Sequence, residues 1–599
     1  MAFTRPALNI TAPVDRRGLL RGAAAFGGTA AFAPWFPGWA QPVSAGIVRA
    51  PTVLSGGDIH LRIAHQMLSI DGKTRHAIGL NGTVPGPLLR LREGQDVRLH
   101  VENALDEDSS IHWHGLLLPA HMDGVPGVSF PGIAPRATFV YEFPVRQAGT
   151  YWYHSHSGLQ EQMGHYGPIV IDPAGPDPIG SDREHVVVLS DHSPFHPHAI
   201  FRKLKLQGGY FNRQKQTLAD QLRGEGQSAA ERFAWGAMRM DPTDISDVTG
   251  AAYTYLVNGH GPADNWTALF APGERVRLRL INASAMTTFN VRIPGLTMTV
   301  VQADGLDVRP VTVDELQIAI AETYDVIVTP AEDCAYTLVG ESVDRSGMAR
   351  ATLAPRAGMA APVPPLRPRP TATMADMGMG GMAHGGDACT AEHAAMGHCT
   401  PAAHGAPTGA PAMDHGMRDF ANAPEVKRTP VVQSISPMPV DRTGEPGQGL
   451  ADAGHRVLVY RDLVATSRNP DIRAPARAMR IHLTGNMERY MWAFDGTTLN
   501  AVTAPIPFRQ DERVRITLVN DTMMGHPIHL HGHFFELVTG HGDHAPRKHT
   551  VQVQPGGTVT FDVTMDAPGD WAFHCHMLYH MHAGMMQVVT VRPVEGAPA

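Results

Sequence analysis

The 599-residue sequence has only four cysteines, and it has neither a basic block nor a long apolar run after its N-terminal region. Four cysteines are too few to form a disulfide scaffold for a chain of this length. The formal net charge of −8 argues against a nucleic-acid partner. Because no later segment is long and apolar enough to span a bilayer, we expect no membrane association.

Two residue types are unusually abundant, since the chain has 33 histidines and 28 methionines. Imidazole and thioether groups are ligands that copper favours. Apolar content and charge are ordinary for a globular protein, and the length allows three or four domains.

Residues 1–45 resemble an export signal. Arg16 and Arg17 precede a short apolar region, residues 23–32, and small residues follow near Gly38. This pattern is typical of a twin-arginine signal peptide, which predicts a soluble periplasmic protein. The alternative is a short membrane helix, but glycine and proline interrupt the apolar region.

A repeat is visible along the rest of the chain. Residues 93–103, 273–282 and 511–520 each begin with polar residues, continue with apolar residues at alternate positions and end in asparagine. Such alternation predicts a half-buried strand. Nine residues after the asparagine stand His112, Val291 and His529, so the middle copy lacks the histidine.

The repeat and the frequent turn residues predict an all-β chain of Greek-key β-sandwiches. We place the three domains at residues 50–175, 183–357 and 421–595. The best helix candidate lies near residues 217–234, inside the middle domain.

Residues 358–420 have a different composition, rich in Ala, Gly, Pro, Met and His. They cannot bury enough apolar surface to offset ordering, so we expect a disordered linker. Its methionines could bind additional Cu(I) or could be adaptable apolar filler. Its candidate ligands are Met374, Met377, Met379, Met382, His384, His393, Met396, His398, Met413, His415 and Met417. Cys389 and Cys399 could join this metal binding or form a disulfide.

Four His-x-His pairs stand out in the first and third domains. They are His112 and His114, His154 and His156, His529 and His531, and His574 and His576. On a strand, residues two apart face the same way, so each pair presents two imidazoles to one side. Eight imidazoles would suit one copper with two histidines and a dinuclear pair with three each.

Cys575 stands between His574 and His576, so its side chain should point to the opposite face of the strand. The remaining nearby ligands are His526, His580 and Met585. Two histidines, a cysteine and a weak axial methionine form a blue-copper electron-transfer site. A zinc site would use four ligands rather than this larger set.

These clusters resemble the four copper-binding signatures of the multicopper oxidases, and the resemblance covers nearly the whole mature chain. Other stretches are similar to the bacterial copper-resistance protein A subfamily. They are residues 122–130, 235–243, 253–255, 321–326, 344–347 and 489–492. The resemblance implies three cupredoxin-like domains and four copper ions, and it implies one-electron oxidation of a substrate coupled to reduction of O2 to water.

The family pattern implies a role for each ligand. It assigns His112 and His529 to the type 2 copper. It assigns the type 1 copper to His526, Cys575, His580 and axial Met585. It assigns the type 3 pair to His114, His154, His156, His531, His574 and His576.

The pattern also implies that an acidic residue, here Asp123, assists proton delivery; Asp123 could instead cap a turn. Some bacterial relatives have an acid after the second type 1 histidine. Met581 stands there in this chain, so this chain lacks that acid.

The electron donor is the least determined part of the function. Our first hypothesis is Cu(I), with phenols also accepted, in a monomeric enzyme of copper resistance. The alternative is a copper-sequestering periplasmic protein with incidental oxidase activity, against which the complete ligand set argues. A third possibility is nitrite reduction, as in a two-domain cupredoxin. The paired histidines argue against it, because such sites do not need them.

Overall fold

The computed structural model describes residues 46–224, 227–237, 240–379, 417–423, 425–502 and 504–593. The predicted signal peptide therefore lies outside the described residues. So does most of the predicted linker, including Cys389 and Cys399. Strands make up 41% of the chain and helices 9%, which confirms the all-β prediction.

The first sandwich consists of two sheets, ordered β1-β4-β9-β8-β6 and β3-β2-β5-β7. Its strands are β1 Val53–Ser55, β2 Asp58–Ile70, β3 Lys73–Leu80, β4 Leu88–Arg92, β5 Asp96–Asn103, β6 His112–His114, β7 Thr138–Pro144, β8 Gly149–His154 and β9 Tyr166–Asp172. Trp113, Tyr141 and Tyr153 are fully buried in its core, to which Phe534 of the third sandwich also contributes.

The second sandwich has sheets ordered β11-β10-β13-β18-β15-β16 and β12-β20-β19-β14-β17. Its strands are β10 Arg183–His192, β11 Thr254–Val257, β12 Trp266–Leu269, β13 Val276–Asn282, β14 Phe289–Arg292, β15 Met298–Ala303, β16 Leu306–Val313, β17 Glu315–Ile318, β18 Thr323–Val328, β19 Tyr336–Ser342 and β20 Met348–Ala354.

Helices α1 Pro197–Leu206, α2 Leu218–Leu222 and α3 Ala229–Ala237 lie between β10 and β11. The predicted helix near residues 217–234 is thus two short helices with a break between them. Helix α1 was not predicted from the sequence. It begins at Pro197 and buries Ile200 and Leu204 on one face.

The third sandwich has sheets ordered β23-β22-β25-β30-β27-β28, with β21 beside β30, and β24-β32-β31-β26-β29. Its strands are β21 Val440–Asp441, β22 Arg477–Asn486, β23 Met491–Phe494, β24 Ile506–Arg509, β25 Arg513–Asn520, β26 His526–Leu530, β27 Phe535–Leu537, β28 Arg547–Lys548, β29 Thr550–Val553, β30 Gly557–Thr564, β31 Gly569–Cys575 and β32 Met586–Arg592. Helix α4 spans Leu578–His582.

The sequence repeat is also a structural repeat. Strands β5, β13 and β25 each pair with one strand in parallel and with another in antiparallel orientation. The asparagine that ends each strand, Asn103, Asn282 or Asn520, is fully buried. Each donates its amide Nδ2 to a backbone carbonyl of the loop that follows, that of Glu107, Thr287 or Met524. The repeated asparagine therefore holds the same loop connection in all three sandwiches.

Residues 358–379, which the composition assigned to the linker, lie against the second and third sandwiches. Arg367 donates to Glu341 Oε2 at 2.6 Å and to Glu315 Oε1 at 2.7 Å. Asp376 pairs with Arg442 at 2.7 Å. Because Glu315 and Glu341 are fully buried, they need a cation such as Arg367, and this arginine anchors the segment to the sandwich.

Candidate metal centre

Neighbouring strands bring the histidine pairs together in two sandwiches. In the first, His112 of β6 lies directly opposite His154 of β8. In the third, His529 of β26 lies opposite His574 of β31. The corresponding pair in the middle sandwich is Val291 opposite Gly340, so that register position holds no imidazole.

The two sandwiches face one another so that their histidines interleave. The ring nitrogens of His114, His154 and His576 lie within 4.8 Å of one another, and so do those of His156, His531 and His574. Each triad combines residues of the first and third sandwiches, so neither forms without that domain contact. The six histidines that the sequence predicted for a copper pair with three each thus fall into two sets of three, and His114 also groups with His112 and His529.

Hydrogen bonds at one ring nitrogen leave the other one free. His112 Nδ1 donates to the carbonyl of Asp123 at 2.8 Å, and His529 Nδ1 donates to the carbonyl of His549 at 2.7 Å. His154 Nδ1 lies 2.7 Å from a carboxylate oxygen of Glu161. The Nε2 atoms of all three histidines are buried without a hydrogen-bond partner. His114 is reversed, since Nε2 contacts Thr550 Oγ1 at 3.2 Å and Nδ1 lacks a partner.

Two imidazole nitrogens face each other at hydrogen-bond distance in one of these triads. His531 Nε2 and His574 Nε2 lie 2.9 Å apart, although each ring already uses Nδ1 for another bond. His531 Nδ1 lies 2.8 Å from Asp123 Oδ2, and His574 Nδ1 lies 3.0 Å from the Cys575 carbonyl. Burial, and then neighbouring histidines, lower the pKa of His531 well below its ordinary value. Neutral imidazoles with facing lone pairs are the donors that a bound copper requires.

The second cluster lies on the other face of β31. Cys575 Sγ is 3.6 Å from His526 Nδ1 and 3.9 Å from His580 Nδ1, and those two nitrogens are 3.3 Å apart. All three residues are fully buried. The other ring nitrogens are engaged, since His526 Nε2 contacts Thr522 Oγ1 at 2.8 Å and His580 Nε2 contacts Asp247 Oδ2 at 2.7 Å.

Met585 is fully buried and lies between helix α4 and strand β32. Its backbone N–H donates to the carbonyl of His580 at 3.0 Å, and its carbonyl accepts from the N–H of Cys575 at 3.1 Å. The ring of Trp492 stacks on His580 with 3.9 Å between centroids. The cysteine and two histidines thus present one sulfur and two free nitrogens to a common point, which fits a copper ion.

Comparison with known proteins agrees with this donor set. Family models described as multicopper oxidase match residues 62–175, 212–357 and 473–595, which together are more than half of the chain. The chain belongs to the multicopper oxidase family. It is therefore an oxidoreductase with copper as its cofactor.

Individual relatives and solved structures extend the comparison. The chain is 49% identical to the copper resistance protein A homolog of Pseudomonas syringae pv. tomato, over 96% of this chain and 99% of that one. It is 48% identical to the copper resistance protein A of Escherichia coli, over 90% and 93% of the two chains. The fold is similar to that of Fet3p, a multicopper oxidase that functions in iron import, with a TM-score of 0.61, 19% identity and 90% coverage of both chains.

The middle sandwich of the oxidase contributes contacts that sequence reasoning missed. Asp247 accepts from His580, and it also accepts a hydrogen bond of 2.7 Å from the hydroxyl of Tyr490. Burial raises the pKa of Asp247 to about 7. No periodicity or motif marks Asp247, because it follows a short helix and reaches His580 across more than 300 residues of sequence.

A buried ion cluster joins the middle sandwich to the histidine triads. Lys548 Nζ lies 3.0 Å from Asp304 Oδ1 and 3.1 Å from Glu322 Oε1, and all three residues are at most 1% exposed. Burial alone would lower the pKa of Lys548, but the two carboxylates outweigh it and raise that pKa. Asp304 also accepts from the backbone N–H groups of His549 and Thr550. These residues flank His114 and His529, so the cluster positions the backbone beside them.

A cavity of about 350 Å³ lies beside the cysteine cluster of the oxidase. Its lining includes Met240, Met487, Met523, Asp241 and Asp244. Thr522 lines it too and contacts His526, so one side chain separates the cavity from a histidine next to Cys575.

Among the described residues, no helix is long and apolar enough to cross a membrane.

Proposed function

We propose that the oxidase converts Cu(I) to Cu(II) in copper resistance, with phenols as additional donors and O2 as the electron acceptor. The observation that carries this proposal is the methionine-lined cavity next to Thr522 and His526. Thioethers select Cu(I), whereas carboxylates are harder ligands that suit the oxidised ion better. A cavity that offers both kinds of ligand can bind Cu(I) and can still hold the ion after its oxidation to Cu(II). The names of the relatives, copper resistance protein A, agree with this function.

In our assignment, His526, Cys575, His580 and Met585 would hold the type 1 copper, and His112 and His529 would hold the type 2 copper. The triads His114, His154, His576 and His156, His531, His574 would each hold one type 3 copper. When bound, these ions accept single electrons from the donor and deliver four to O2. Cys575 is covalently bonded to His574 and His576, so the backbone of β31 connects the two clusters.

Asp123 is the residue that we propose assists proton supply at the histidine triads. Its Oδ2 lies 2.8 Å from His531 Nδ1, and its Oδ1 is buried without a hydrogen-bond partner. Oδ1 is also 3.3 Å from His112 Nδ1. Reduction of O2 to water consumes protons, and a carboxylate in this position can hold a proton beside the site.

We also infer that the chain is exported by the twin-arginine route to the periplasm and acts there as a monomer. The paired arginines, Arg16 and Arg17, support the route. The competing function, copper sequestration alone, is disfavoured because storage does not need a cysteine cluster covalently joined to two histidine triads.

The cavity is tested by the double substitution Met487→Leu and Met523→Leu, which conserves side-chain volume and removes both sulfurs. We expect the KM for Cu(I) to rise about tenfold while the steady-state constants for a phenol stay unchanged. Steady-state O2 consumption with each donor measures both.

The matched control is Met67→Leu, since Met67 is 65% exposed on the first sandwich. It should change neither KM. An equal loss with Cu(I) and phenol in the double variant would contradict a Cu(I) site in this cavity, and so would no change with either donor.

A further inference from the structure

The outer face of the first sandwich carries a histidine cluster that the catalytic site does not use. Asp58 and His60 are two residues apart on β2, so their side chains share one face. His100 of β5 lies directly opposite His60 in the parallel register. These strands belong to the sheet β3-β2-β5-β7, whereas the ligand pair His112 and His114 belongs to the other sheet of the sandwich.

Other cross-strand pairs on this face are complementary in charge. Arg62 lies opposite Glu102 with 3.1 Å between Nε and Oε1, and Arg98 lies opposite Glu142 at 2.6 Å. Between them, His60 stands against His100, with ring centroids 4.4 Å apart and planes inclined by 12°. This pair differs from the two ion pairs beside it, because two protonated imidazoles repel each other.

The ligand atoms of the cluster already converge. Asp58 Oδ1 is 3.0 Å from His100 Nε2 and 3.5 Å from His60 Nε2. One oxygen and two nitrogens lie within 4.8 Å of one another, which is close enough for one ion to reach all three after small rotations. The side chains of Asp58 and His60 are 61% and 77% exposed, so they can rotate freely and water can complete the coordination.

We propose that Asp58, His60 and His100 bind one divalent transition-metal ion on the surface, with Cu(II) held more tightly than Zn(II). Two imidazoles and a carboxylate suit Cu(II) and Zn(II), and the order of affinities for such a site favours Cu(II). Because the ligands come from adjacent strands of a rigid sheet, binding orders only their side chains and no backbone. The exposure of the cluster makes the ion exchangeable rather than structural.

Residue-specific histidine modification with diethyl pyrocarbonate, read by mass spectrometry, tests the site in the copper-loaded full chain. Zn(II) is the probe because it is redox-inactive, and Cu(II) is then added as the competitor. We expect Zn(II) to slow modification of His60 and His100 together, and Cu(II) to do so at a lower free concentration. His60→Ala should abolish protection of His100, and Asp58→Asn should weaken Zn(II) binding about tenfold.

The matched control is the double variant His65→Ala and His76→Ala, which removes a second exposed pair on β2 and β3. It should leave protection of His60 and His100 unchanged. His60, His65 and His76 are exposed, so we expect the variants to fold and to retain oxidase activity. Unprotected His60 and His100 in the wild-type chain would overturn the proposal, as would full protection of His100 in the His60→Ala variant.

Discussion

Cys575 places its sulfur on one face of β31 while the histidines on either side of it point to the other. Cys575→Ser should therefore abolish the intense visible thiolate-to-copper absorption and stop turnover, because a hydroxyl cannot replace the thiolate. The histidine triads do not involve the sulfur, so three coppers should still load. Visible absorption and copper content measure the two effects.

Cys334→Ser is the control, because Cys334 is a half-exposed free cysteine of the middle sandwich. It should keep the full absorption. A Cys575→Ser protein that stayed blue would show that the type 1 site lies elsewhere.

Asp123 has two possible roles, and one substitution separates them. Asparagine can still accept from His531 Nδ1 and can still close the turn after the short helix Ala120–Met122, but it cannot take up a proton. We expect Asp123→Asn to lower kcat for O2 reduction about 10²-fold or more, with the visible absorption and copper content intact.

Asp123→Ala is the companion variant, and it should in addition reduce copper content because His531 loses its hydrogen bond. Unchanged turnover in Asp123→Asn would mean that Asp123 only shapes the turn.

At the scale of elements, the repeated asparagine connects fold and site. Asn520 Nδ2 donates to the carbonyls of Met524, Val553 and Gln554 at 2.7, 3.1 and 3.1 Å. Its Oδ1 accepts from the hydroxyl of Thr522 at 2.8 Å. That hydroxyl therefore accepts from His526 Nε2, which leaves His526 Nδ1 free to face Cys575.

Asn520→Ala should lower the free energy of unfolding by about 2–4 kcal/mol, because it leaves buried carbonyls unpaired. It should also shift the energy of the visible absorption band, because Thr522 loses its anchor beside His526. Denaturant unfolding and absorption spectra give the two readouts.

Asn282→Ala is the matched control in the middle sandwich, where the same amide donates to the carbonyls of Thr287 and Ile318. It should cost similar stability and leave the band unmoved. A band shift of equal size in both variants would contradict the link through Thr522.

At the scale of the whole molecule, the histidine triads exist only at a junction of domains. The first and third sandwiches supply all eight paired histidines, while the middle one supplies Asp304 and Glu322 against Lys548 and Asp247 against His580. The second and third sandwiches also share one continuous buried apolar cluster. This packing keeps the third sandwich in place opposite the first.

The segment 380–416 offers a test at the same scale. The residues on either side of it bond to two neighbouring residues. The carbonyl of Gly378 accepts from Met438 N at 2.7 Å, and Arg418 N donates to the carbonyl of Pro437 at 2.8 Å. The segment can therefore be replaced by a few Gly and Ser residues without moving either end.

We expect this replacement to leave the visible absorption and phenol oxidation intact, and to lower Cu(I) oxidation when Cu(I) is limiting. The physical reason is that tethered thioethers and imidazoles raise the local Cu(I) concentration. A Gly/Ser segment of the original length controls for chain length and should show the same loss. Equal loss with both donors would mean that the segment is structural, and no loss would mean that its methionines are inert.

The sequence by itself determined the β-sandwich repeat, the pool of paired histidines and the face on which Cys575 lies. These features are local, because alternation along a strand and the spacing of His-x-His pairs depend only on neighbouring residues. The asparagine of the repeat is also a local feature. It stands nine residues before His112 and His529, so it marks the same loop connection in the first and third sandwiches.

Only the tertiary structure decided how the histidines divide into triads and which nitrogen of each ring is free. Those outcomes depend on contacts such as His531 with Asp123, residues 408 positions apart, and His580 with Asp247, 333 apart. It likewise placed residues 358–379 against the sandwiches through Arg367 and two buried carboxylates. No pattern along the chain encodes such pairings, because each results from how whole domains pack against one another.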